Sequence, residues 1–142
     1  AIGRTIHELG EKLAALPESD RPGQVIVAIF TDGLENASQQ YTNEKIAEMI
    51  RHQREVYGWE FLFLAANQDA IATAARMGID RSHSGNVQHS LKGMYSSHSS
   101  MSRKMSAMRH FSRTGEKSAD YHAPMEEIVK EEVESPDDRD KK

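Results

Sequence analysis

The chain of 142 residues contains no cysteine, one tryptophan and only 6% aromatic residues. Without cysteine there are no disulfides, no thiolate metal sites and no cysteine nucleophile. Long apolar runs are also missing, and nothing approaches the roughly 20 consecutive apolar residues of a membrane-spanning helix. Residues 1–5 lack the basic-then-apolar layout of a signal peptide. The chain therefore reads as soluble and cytoplasmic, with no membrane partner.

An apolar fraction of 37% and a mean hydropathy of -0.69 are low for one packed domain of this length, so part of the chain is expected to stay outside the core. Of the Phe, Trp and Tyr residues, only Tyr121 lies beyond Phe111. Charge is unevenly spread. Residues 1–80 hold 7 Lys and Arg against 12 Asp and Glu, residues 81–112 hold 5 against 0, and residues 113–142 hold 6 against 10. The basic middle block also carries His83, His89, His98 and His110.

Periodicity supplies the elements. Ile2, Ile6, Leu9, Leu13 and Leu16 recur at helical spacing until Pro17, which predicts a helix near 1–16. Val25 to Phe30 is an unbroken, β-branched apolar run ended by Thr31-Asp32-Gly33, the pattern of a central parallel strand near 24–31. A helix near 42–57 carries Ile46, Met49, Ile50 and Val56 and stops at Gly58. Trp59 to Ala65 is a second buried strand, near 59–65, followed by a helix near 67–77 that Gly78 closes. A weak edge strand near 86–89 and an amphipathic helix near 91–111, in which Leu91, Met94, Tyr95, His98, Met101, Met105, Met108 and Phe111 recur every three or four residues, complete the series. The alternation predicts an α/β fold, a doubly wound and mostly parallel sheet with helices on both faces. Residues 112–142 read as a charged, largely disordered tail, with room for a short helix after Pro124.

A strand as apolar as Val25–Phe30 needs neighbours on both sides. Only Trp59–Leu64 is a good candidate, so the sheet is expected to be truncated at the N-terminus, its missing part absent from this chain or supplied by another.

Ligands of open parallel sheets bind outside the carboxyl ends of the strands. Asp32 holds that position, with Thr31, Asn36 and Ser38 as neighbouring oxygen donors for a hard divalent cation. The competing reading of Asp32-Gly33 is a simple turn.

The segment VIVAIFTDGLENAS, residues 25–38, together with Tyr57-Gly58-Trp59-Glu60-Phe61-Leu62-Phe63-Leu64-Ala65-Ala66-Asn67, resembles the second half of von Willebrand factor type A domains, in particular those of stand-alone bacterial and phage proteins. The resemblance covers residues 1–111. It implies a Rossmann-like sheet of order 3-2-1-4-5-6 in which Val25–Phe30 is strand 4, beside strand 1. It also implies a metal-ion-dependent adhesion site, built from an Asp-x-Ser-x-Ser loop, a Thr loop and the Asp of the TDG loop. Only the last maps, onto Asp32, which in the family contacts the metal through water. The implied function is a protein-binding module with Mg or Mn as cofactor, no catalysis, and Glu35 and Asn36 among the residues meeting the partner. The missing loops imply a weak or non-functional site.

Other patterns compete. Asp80-Arg81-Ser82-His83-Ser84 spells Asp-x-Ser-x-Ser but follows a helix rather than a strand. Asp32 with Glu35 could serve a Mg-dependent doubly wound hydrolase or phosphotransferase, although no positioned nucleophile or base accompanies them. Lys92, Arg103, Lys104 and Arg109 have no acidic neighbours in sequence and suggest a nucleic-acid-binding helix at 91–111; a packed final helix is the favoured reading. The histidines form no metal-ligand spacing.

Overall fold

A computed structural model describes residues 2–20, 22–31, 43–66, 70–87 and 90–134. The elements are α1 (Ile2–Ala14), β1 (Ile26–Thr31), α2 (Asn43–Tyr57), β2 (Glu60–Ala65), α3 (Ala70–Arg76), β3 (Ser84–Asn86), α4 (Leu91–Thr114), α5 (Ala119–His122) and α6 (Met125–Glu134). Among the described residues, three strands form a parallel sheet of order β1-β2-β3. The fold is α/β with helices on both faces.

The centre of this sheet is β2. Its residues alternate between two cores, because successive side chains of a strand point to opposite faces. Phe61, Phe63 and Ala65 meet Ile6, Ile46, Ile50, Ala74 and Met77 on one face. Leu62 and Leu64 meet Met101, Met108, Met125 and Val129 on the other. β1 has the sequence of a central strand but is paired on one side only among the described residues, so most of it is half-buried. Phe30 is 45% exposed.

β3 lies at 84–86 rather than 86–89; Gln88 and His89 are outside the described residues. Hydropathy misplaces it because its buried positions are small: Ser84 and Gly85. A Cβ at Gly85 would stand 3.4 Å from the Glu126 backbone and 3.3 Å from the Leu64 side chain, so α6 lies directly against this strand with little room to spare.

The expectation of a largely disordered tail from residue 112 is corrected for residues up to 134. Gly115, at φ 75°, ends α4 in the left-handed conformation glycine favours. The chain then turns back through α5 and α6, where Met125, Ile128 and Val129 are buried. Each such side chain contributes roughly 1.5–3 kcal/mol by leaving water, enough to order a short charged helix. Their spacing at 125, 128 and 129 is a helical stripe, hidden in a low average hydropathy by the acidic face opposite.

Candidate functional site

All three strands run parallel, and Thr31, Ala65 and Asn86 stand in register, so the carboxyl ends form one edge of the sheet. This is the edge at which Asp32 follows Thr31 in sequence. Asp32, Glu35, Asn36 and Ser38 lie outside the described residues, and Thr31 is described as the last residue of β1. Among the described residues, no group of three or more His, Asp or Glu side chains is arranged to hold a metal ion.

The same edge carries an exposed apolar collar. Ser90 caps α4 by accepting the Gly93 N–H at 3.0 Å, and the helix then turns Gly93, Ser96, Ser97 and Ser100 inward. The buried Ser96 and Ser97 hydroxyls are satisfied by donating to the Gly93 carbonyl, at 2.9 and 2.7 Å. In consequence Leu91, Met94 and Tyr95 are 68%, 59% and 50% exposed. Helical spacing puts them on one stripe with Met101 and Met108, of which Met101 and Met108 are buried. The Phe30 and His98 rings lie 5.3 Å apart, joining β1 to this collar.

The Asp80-x-Ser-x-Ser segment spends its oxygens locally. Ser82 Oγ donates to Asp80 Oδ2 at 2.6 Å, and the buried Ser84 Oγ donates to the Arg81 carbonyl at 3.2 Å. The Ser82 bond holds the Asp80 carboxyl below its usual range. These groups close a 3₁₀ turn at Arg81–His83 and do not converge on a cation.

The basic segment is also altered by the fold. Arg103 reaches Asp120 at 2.7 Å, Glu131 at 3.0 Å and Glu132 at 3.1 Å. Lys104, only 2% exposed, donates from Nζ to the carbonyls of Asp120, Tyr121 and Ala123 at 3.1, 2.8 and 2.7 Å. Burial pushes its pKa down, against the attraction of Asp120 and Glu60. Two of the four cations proposed for nucleic acid are thus engaged by the acidic C-terminal segment, a pairing invisible to neighbour-by-neighbour reading.

At the opposite, amino end of the strands, Glu60 and His83 approach to 3.7 Å. Burial raises the Glu60 pKa and lowers that of His83. A cavity of about 1050 Å³ opens at this end between α1 and α2, with Ile6, Val25, Met49 and Trp59 in its lining. It is remote from the strand-end edge. Among the described residues no helix is long and apolar enough to cross a membrane.

Comparison with known proteins gives no further assignment: no family model, no curated protein and no solved structure matches this chain.

Proposed function

We propose that the chain is the C-terminal half of a von Willebrand factor type A-like module that binds a protein partner through a divalent cation, Mg or Mn, at the Asp32 edge. The observation that carries this reading is the all-parallel order β1-β2-β3, which is the order that the resemblance implies for strands 4, 5 and 6. The TDG loop then follows the strand whose carboxyl end opens the ligand edge, where open parallel sheets bind. The exposed apolar collar of Leu91, Met94 and Tyr95 adds a surface that favours protein contact over a small polar substrate.

Within this reading Asp32 supplies one outer-sphere carboxylate, Thr31, Asn36 and Ser38 are neighbouring donors, and Glu35 and Asn36 face the partner. The bound cation would supply positive charge to which a partner carboxylate can attach. With two ligand loops unaccounted for in this sequence, affinity for the ion is low, and no catalytic step is assigned. The module is placed in the cytoplasm.

Titration of the chain with Mn²⁺, followed by electron paramagnetic resonance, tests the reading. Weak saturable binding that Asp32→Ala lowers at least tenfold is expected. Binding that Asp32→Ala leaves unchanged overturns it, and binding as tight as that of a complete site overturns the assignment of an incomplete one.

A further inference from the structure

The groove between α1 and α2, at the amino end of the strands, is built from residues that the Asp32 edge does not use. Ile6 of α1, Met49 of α2, Val25 and Trp59 form its apolar part. Its volume of about 1050 Å³ stands at the upper end of the range of small-molecule sites. The walls are two helices in contact with each other, so the groove lies within the helical layer and does not involve the open side of β1.

Trp59 is only 5% exposed and is backed by Phe61, their ring centroids 6.2 Å apart. Its indole N–H has no hydrogen-bond partner among the described residues, yet the nitrogen is not sealed inside the core. A tryptophan buried to this degree ordinarily finds an acceptor. The groove is the opening that Trp59 borders, so an acceptor reaches the N–H from there. Gln53 stands beside it. Its carbonyl accepts the Trp59 backbone N–H at 3.1 Å, and its side-chain amide likewise has no partner among the described residues. That half-buried amide lies between the helices, its Nε2 3.5 Å from where a Cβ on Gly10 would stand. Neutral hydrogen-bonding groups are thus presented over an apolar floor.

The rim carries no strong field of one sign. Glu11, Glu48 and Glu55 are offset by Lys45 and Arg51, and His7 Nε2 lies 3.1 Å from Glu11 Oε1. A charged ligand would gain little from such a rim, and an aliphatic one would cover the indole N–H without pairing it. We propose that the groove binds a neutral, planar heteroaromatic molecule, which lays its ring on the apolar floor and turns an acceptor edge to the Trp59 N–H and the Gln53 amide. Glycine at position 10 leaves the space above that floor open. The site does not depend on a cation at Asp32.

Trp59 is the one tryptophan of the chain, so its fluorescence reports on this groove alone. Titration of the full chain with caffeine, a neutral fused heteroaromatic with two carbonyl acceptors, tests the proposal. Saturable quenching with a midpoint below about 1 mM is expected. Cyclohexanol, which is aliphatic, and benzoate, which is charged, should each bind about tenfold more weakly. Gln53→Leu keeps the backbone bond to Trp59 and removes the amide, and should weaken caffeine about three- to tenfold. Gly10→Leu sends a side chain into the groove from a position where a Cβ meets only Gln53 Nε2, at ordinary contact distance, and leucine favours a helix over glycine. It should abolish saturation while leaving the far-ultraviolet circular dichroism unchanged; if it unfolds the chain, Gln53→Leu decides. Quenching that stays linear in caffeine, saturation that neither variant changes, or equal binding of either comparison compound overturns the proposal.

Discussion

Arg103 grips both carboxylate oxygens of Asp120, Nη2 to Oδ1 at 2.7 Å and Nε to Oδ2 at 3.2 Å, across 17 positions of sequence. The same guanidinium donates to Glu131 and Glu132, so one side chain ties α4 to both α5 and α6. A bidentate pair within a network is the arrangement in which a partly exposed ion pair contributes measurably.

Arg103→Ala is expected to cost about 1 kcal/mol of unfolding free energy at low salt, read from urea denaturation. Added salt should shrink the difference from the parent chain, because the cluster is partly exposed and therefore screened. A difference independent of salt would assign the loss to packing of the arginine stem instead.

Lys104 presents a sharper case, because its ammonium is buried and its three donors satisfy three backbone carbonyls. Lys104→Met preserves much of the volume and leaves those carbonyls without donors. A loss of about 2–3 kcal/mol is expected in the same denaturation experiment, larger than for Arg103→Ala. Hydrogen exchange should show faster opening of the turn around Ala123 than of β2.

Acid should destabilise the fold in two stages. His83 is held below its ordinary value of 6.5, chiefly by burial and then by Lys104 of α4, with Arg54 of α2 opposing and Asp80 favouring its charged form; a Glu60 carboxylate oxygen of β2 lies 3.7 Å from its Nδ1. The unfolded chain thus binds a proton that the folded chain refuses, and stability falls as pH drops below 6.5 until the folded value is passed. Asp120 is held below 3.8 by the Arg103 hydrogen bond, so its contribution is intact above 3.8 and is lost as pH falls through its folded value. Glu60 is raised by burial and acts in the opposite sense, costing stability as pH rises from 4.5 through its folded value. Melting temperatures across pH should therefore lose the upper stage in His83→Gln and only part of the lower stage in Asp120→Asn, because the Asp80 carboxyl, lowered by its Ser82 hydrogen bond, contributes in the same direction.

Ile128, fully buried, tests whether the C-terminal segment belongs to the core. Ile128→Ala is expected to cost about 2–5 kcal/mol, as for an interior aliphatic side chain. A change below about 0.5 kcal/mol, the range of surface substitutions, would place α6 outside the cooperative unit.

The main elements were legible because their signals are local. The runs at Val25–Phe30 and Trp59–Ala65, the stops at Gly58 and Gly78, and the apolar period of α1 and α2 each lie within one element. β3 was misplaced because it is buried through Ser84 and Gly85, which carry no hydropathic signal. The apolar collar was misread because Leu91, Met94 and Tyr95 fit a buried period, while the small residues between them give the closer packing. Of the candidate site, the sequence supplies Asp32 and its neighbours as a motif, and the described structure places the strand end that leads to it.

What the sequence by itself determined is the α/β class and the parallel run of its two strong strands, because burial on both faces writes an unbroken apolar run into the chain. Only the tertiary structure decided which strand is central among those described and where the charges go. Arg103 and Glu131 are 28 positions apart, and the fold alone brings them to 3.0 Å. The basic block and the acidic tail look like separate features because their attraction needs the reversal at Gly115, where the chain returns and lays α6 over Leu62, Leu64 and Met101.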